Sequence, residues 1–153
     1  MTTMGTRVLI VDDDVDLAES LADILLDHGC DVSLAEHGQE AVERACSQDF
    51  DIIFMDVRMP VMNGVDSFFA IRAIKPRARV VMMTGFKETF VERAIQAGAE
   101  GPLHKPFAID EMLALMASGS HATPSLRPGG RDIDRLRPAH PPRLVRAPSG
   151  TIH

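Results

Sequence analysis

The sequence predicts an α/β domain built as a doubly wound, five-stranded parallel sheet with helices on both faces. Three observations predict it. Short runs such as RVLIV (Arg7–Val11) and DIIFM (Asp51–Met55) are apolar at successive positions, which suits strands buried on both faces. Segments with helical periodicity separate these runs. Each run stops abruptly at a polar residue, Asp12 after the first and Asp56 after the third.

Between Asp14 and His28, Leu17, Leu21, Ile24 and Leu25 recur at helical spacing, and Gly29 is placed to end that helix in a left-handed cap. Cys30–Ala35 is a second strand. Gly38–Ser47 reads as a helix with Ala41, Val42 and Ala45 inward, ahead of the Asp51–Met55 strand. Val65–Ile74 gives a third helix and Val80–Met83 a fourth strand. Glu88–Ala97 is a fourth helix closed by Gly98, Gly101–Leu103 a short fifth strand, and Ala108–Ala117 the last helix. Strands alternating with helices at this spacing imply right-handed crossovers and a parallel sheet between two helix layers.

The remainder of the chain has a different character. From Gly119 onward stand six of the ten prolines and few apolar residues, too little to bury a core. Residues 119–153 are therefore expected to be a disordered Pro/Arg-rich tail, residues 1–6 an N-terminal extension, and 7–118 the folded domain. Charge divides the same way. Beyond Ser118 lie six arginines and only Asp132 and Asp134, so the body carries about 20 acids against 10 bases within a net charge of −6.

At 45% apolar and 25% charged residues the composition is that of a soluble globular chain. No apolar run approaches the roughly 18 residues of a membrane span, and Met1–Arg7 lacks the features of a signal peptide. A cytoplasmic location with no membrane partner is expected. Cys30 and Cys46 lack metal-ligand spacing and read as small packing residues.

In a doubly wound sheet, ligands sit beyond the carboxyl ends of the strands. There stand Asp12, Asp13 and Asp14 after the first strand, Asp56 after the third, Thr84 after the fourth and Lys105-Pro106 after the fifth. Taken singly, each has a structural reading: Asp14 as a helix N-cap, Asp56 and Thr84 as turn residues, Lys105 as a solvated charge. Taken together they gather carboxylates, a hydroxyl and an ammonium around one crevice. Carboxylates a few ångströms apart repel by about 1 kcal/mol per pair in water and about 4 kcal/mol at an effective dielectric of 20. A cation is needed, and hard oxygen ligands with open positions suit Mg²⁺. An aspartate nucleophile beside Mg²⁺ can attack phosphorus to form an acyl phosphate, with Lys105 and Thr84 as partners for the phosphoryl oxygens.

VLIVDDD at the first strand, FMDVRMPVMNG at the third, MMTG at the fourth and LHKPF at the fifth together resemble the response-regulator receiver family of two-component signalling. The resemblance runs from about Arg7 to Ala117, and is to single-domain receivers of the chemotaxis-regulator type. It implies the flavodoxin-like strand order 2-1-3-4-5. It implies that Asp12 and Asp13 hold Mg²⁺, that the backbone carbonyl of Arg58 completes the metal site, and that Asp56 is phosphorylated. Thr84 and Lys105 then contact the phosphoryl group, and Lys105-Pro106 is a cis peptide. The implied donor is a sensor histidine kinase, a phosphotransfer protein or a small phosphodonor. The output is contact with a downstream effector protein or onward relay, and the only catalysis is of the chain's own phosphorylation and dephosphorylation.

One position departs from the family pattern. Three residues before the lysine, where the family usually carries Tyr or Phe, stands Pro102, whose ring has no comparable χ1 swing. By the same pattern Arg58 and Phe86 adjust phosphoryl lifetime. Two other functions compete. A phosphatase of haloacid-dehalogenase type also uses an Asp nucleophile with Mg²⁺, but its motif carries a second Asp where Arg58 stands. The basic tail could bind nucleic acid, against which its arginines are scattered among prolines without aromatics. Homodimerisation is left open.

Overall fold

The computed structural model describes residues 5–85, 89–119 and 144–146. The elements run β1 (Arg7–Val11), α1 (Val15–Asp27), β2 (Asp31–Ala35), α2 (Gly38–Ser47), β3 (Ile52–Asp56), α3 (Gly64–Ile74), β4 (Val80–Thr84), α4 (Val91–Gln96), β5 (Glu100–His104), α5 (Ile109–Gly119) and β6 (Leu144–Arg146). They form one parallel sheet in the order β5-β4-β3-β1-β2-β6. The first five strands thus adopt the order 2-1-3-4-5 expected of the sequence.

The apolar runs are apolar throughout because both faces of the sheet are covered. Val8 and Ile10 of β1, Phe54 of β3 and Met83 of β4 face the layer made by α1 and α5, alongside Leu25 and Met112. Their neighbours Leu9, Val11, Met55 and Met82 face the layer of α2, α3 and α4, alongside Phe68 and Ile71. Alternation across the pleat sends successive side chains to opposite layers, and each large side chain fully buried contributes about 1.5–3 kcal/mol.

Local chemistry sets the helix ends. Asp14 caps α1, its Oδ1 accepting the Leu17 N–H at 3.1 Å, and Gly29 takes a φ of +88° just past that helix. Asn63 caps α3 by accepting the Asp66 N–H at 2.9 Å. At α2, His37 Nδ1 accepts from the Glu40 N–H, and the Glu40 carboxylate accepts in turn from the Glu36 N–H at 2.8 Å.

Three expectations need correction. The composition of the tail favours disorder, yet Leu144–Arg146 is a strand in register with β2, pairing Val32 with Leu144, Ser33 with Val145 and Leu34 with Arg146. The sheet therefore has a sixth strand. A tail too polar to build its own core needs none when it adds to an edge that already exists. Gly119, the expected start of the tail, is the last residue of α5, and the rest of the tail, like Phe86, lies outside the described residues. The fourth helix begins at Val91 rather than Glu88. Cys30 is buried but Cys46 is exposed: it follows the inward-facing Ala45, and one residue turns a helix by about 100°.

Candidate functional site

The carboxyl ends of β1, β3 and β4, and the segment after β5, converge on a single edge. Asp12, directly after β1, is 1% exposed, Asp56 ends β3 at 6%, and Thr84 ends β4 at 2%. Asp13 is exposed. The Lys105 backbone N–H donates to the Thr84 carbonyl at 2.8 Å, which fixes where the lysine leaves the sheet, and Lys105-Pro106 is cis.

Lys105 Nζ lies 2.6 Å from Asp12 Oδ2 and 3.2 Å from Asp56 Oδ1, joining the first and third strand ends. Asp12 Oδ1 accepts the Asp14 N–H at 3.0 Å. Asp12, Asp13 and Asp56 each offer an oxygen, and these lie within 4.8 Å of one another. Three hard donors at an open sheet edge fit a small divalent cation that keeps several positions for water or phosphate oxygens.

The electrostatics follow from crowding. Burial, reinforced by the neighbouring Asp12 charge, pushes the Asp56 carboxyl up to about 6 against the opposing pull of Lys105. For Lys105, burial acts downward, but the hydrogen bond and charge of Asp12, with those of Asp56, outweigh it and raise the ammonium above its ordinary value.

The loop from β3 to α3 is pinned under Asp56. The Val57 N–H donates to the Met83 carbonyl and the Gly64 N–H to the Val57 carbonyl, both at 2.9 Å. A Cβ on Gly64 would stand 2.2 Å from the Asp56 carbonyl oxygen, so only glycine permits this approach. At the loop's tip Val61 has φ +70° and is 86% exposed, with the Met62 N–H donating to the Pro60 carbonyl at 2.7 Å across it. That is a γ-turn of the strained, positive-φ kind. A Cβ on Gly38 would fall 2.5 Å from the Met62 carbonyl oxygen, so α2 also packs onto this loop. A hollow of about 390 Å³ beside the site is walled by Asp13, Arg58, Met59, Pro60 and Phe90 among others.

The fold thus brings Asp12, Asp13, Asp56, Thr84 and Lys105 to one edge. Arg58 lies on the loop two residues past Asp56 with its side chain exposed. Pro102 lies within β5, half-buried and cis to Gly101, and is not among the residues that contact Asp56 through Lys105. The Gly38 contact and the Val61 conformation have no signal in the sequence. Nothing marks a valine for a positive φ, and Gly38 can be recognised only once α2 is placed against the loop.

Comparison with known proteins gives a family for this arrangement. The family model described as response regulator receiver domain matches residues 8–117. A response regulator receiver protein of Anaeromyxobacter sp. is 41% identical over 110 residues, which are 71% of this chain and 46% of that one. The chemotaxis protein CheY of Bacillus subtilis is 38% identical over 112 residues, covering 72% of this chain and 93% of CheY. A solved complex of CheX, CheY, BeF₃ and Mg²⁺ from Borrelia burgdorferi holds a chain that superposes with a TM-score of 0.70 at 30% identity, over 75% of this chain and 89% of that one. The chain belongs to the response-regulator receiver family of two-component signalling, in which phosphorylation on aspartate with Mg²⁺ is the general property. It spans about half the length of the Anaeromyxobacter relative.

Proposed function

We propose that Asp56 is the phosphorylated residue, and that Asp12, Asp13, Asp56 and the Arg58 backbone carbonyl hold the Mg²⁺. One observation carries this: Asp56, buried at the end of β3, shares the Lys105 ammonium with Asp12, at 3.2 and 2.6 Å. An Asp56 oxygen attacks the phosphorus of the donor. The new P–O bond forms as the donor's P–N or P–O bond breaks, and the donor leaves with the electron pair. Lys105 partners one phosphoryl oxygen and the Thr84 hydroxyl another. When bound, Mg²⁺ supplies the positive charge that screens the phosphoryl oxygens. Hydrolysis is a second displacement: water attacks phosphorus, the Asp56 oxygen–phosphorus bond breaks with its electron pair left on the Asp56 carboxylate, and inorganic phosphate departs as the attacking water loses its proton.

The donor we assign is a sensor histidine kinase or a phosphotransfer protein, and the output a contact with an effector protein, both in the cytoplasm. The catalysis is confined to this self-modification. The haloacid-dehalogenase reading is disfavoured by Arg58, which stands where that chemistry needs a second carboxylate. Incubating the chain with acetyl phosphate and Mg²⁺ should add one phosphoryl group by mass spectrometry, and Asp56→Asn should add none. Equal labelling of that variant would refute the assignment, and turnover of a phosphate ester would favour the phosphatase.

A further inference from the structure

The two edges of the five-stranded sheet differ in how open they are to another strand. At one edge, β5 contains Pro102, which has no N–H to donate, and Gly101 at φ +92°. Its pairing with β4 shifts register between Val81 and Met83. Irregularity and proline both blunt an edge. At the other edge, β2 is a five-residue, proline-free strand, DVSLA, paired residue for residue with β1 from Arg7–Asp31 to Val11–Ala35. Left bare, such a strand presents a regular row of unpaired N–H and C=O groups, a template for another chain.

β6 replaces that edge with one of opposite character. It is three residues long, carries Arg146, and is bracketed in sequence by Pro142-Arg143 and Pro148. Shortness, charge and proline are the devices by which natural sheets end themselves. The bracket also explains the strand's limits, since prolines cannot extend a hydrogen-bond ladder. The 24 residues between Gly119 and Leu144 could reach roughly 80 Å if extended, ample to bring the tail from α5 across to β2. A tail with six arginines is also drawn to a body with twice as many acids as bases.

We propose that the Leu144–Arg146 strand is a built-in edge guard, which occupies the β2 edge in cis and keeps it closed to a second copy of this chain. The unguarded edges of two copies are identical and self-complementary, so they pair as antiparallel β2 strands about a two-fold axis. The strand then acts on assembly through β2, which carries none of the residues gathered at the Asp56 site.

The test uses the full chain carrying Val145→Pro, which removes an N–H and blocks strand pairing, with Val145→Ile as the control that retains it. At a concentration low enough to keep the proline variant monomeric, hydrogen exchange read over residues 31–35 should quicken by about tenfold or more. Sedimentation velocity should show dimer appearing with concentration, while the wild-type and isoleucine chains stay monomeric. Adding the peptide Arg-Leu-Val-Arg in excess should return the proline variant to monomer. Unchanged exchange over 31–35 in the dilute variant would overturn the proposal, as would a variant that stays monomeric at every concentration. A wild-type dimer that Val145→Pro dissociates would also overturn it, because the strand would then link copies rather than part them.

Discussion

Lys105 sits closer to Asp12, at 2.6 Å, than to Asp56, at 3.2 Å. The resting lysine is therefore first the counter-ion of a carboxylate that is 1% exposed, and second the partner of Asp56, the proposed acceptor. Lys105→Ala leaves both buried carboxylates beside Asp13 without their cation. Breaking a buried pair from one side costs about 3–5 kcal/mol, less where water reaches the lysine, so we expect a loss of about 2 kcal/mol in chemical denaturation without metal. Adding Mg²⁺ should recover part of it. A variant as stable as the parent in chelator would mean that the ion pair does not hold the site.

The raised Asp56 carboxyl makes a second prediction, of the opposite sign. Its value rises from 3.8 to about 6 on folding, so the folded chain binds this proton more tightly than the unfolded one. The resulting stabilisation is complete below pH 3.8 and is lost as pH rises through about 6. At pH 7.5 the ionised group is a net cost, on the order of 2–3 kcal/mol at 1.36 kcal/mol per unit. Asp56→Asn should accordingly unfold at higher denaturant than wild type at pH 7.5 in chelator. The gap should close as pH falls towards 4. A gap independent of pH would place the titration elsewhere.

Asp13 separates metal binding from folding. It is the exposed member of the carboxylate group, so Asp13→Ala removes a proposed ligand without emptying a buried position. Stability in chelator should change by less than about 0.5 kcal/mol, as for an ordinary surface position. In the parent, Mg²⁺ at ten times its Kd should add about 1.4 kcal/mol, and the variant should need several-fold more Mg²⁺ for the same gain. Identical Mg²⁺ titrations of the two chains, followed by thermal melting, would remove Asp13 from the site.

Why some of the structure is legible in the sequence and some is not has a physical basis. β1, β3 and β4 declare themselves because both faces are buried, and the residue at which each run stops is the residue the fold delivers to the ligand edge. The Asp14 cap and the Gly29 turn are local effects of single residues. β6 depends instead on an edge more than a hundred residues away in sequence, which no local pattern encodes. Val61 adopts a conformation that its β-branched side chain disfavours, so propensity points the wrong way there. The reason for Gly64 becomes visible only when α3 is set against the Asp56 carbonyl oxygen.

Pro102 bears on how the domain responds to phosphorylation. Where the family pattern has an aromatic side chain, a proline ring closes on its own backbone and has no rotation about χ1. The surrounding face is also tied down. Arg79 makes two hydrogen bonds to the Glu100 carboxylate at the start of β5, at 2.7 and 2.6 Å, and a third at 2.9 Å to the Leu115 carbonyl of α5. A change at Thr84 thus meets a β5 without a rotatable ring at position 102 and an α5 held to that strand. We expect amide NMR shifts on adding beryllofluoride and Mg²⁺ to concentrate around Asp12, Asp56, Thr84 and Lys105. Those over Met112–Met116 should be small. Pro102→Tyr should enlarge them while leaving labelling by acetyl phosphate within about twofold. Large shifts over Met112–Met116 in the parent chain would mean that the signal crosses to α5 by another route, with the Arg79 contacts the first to test by Arg79→Ala.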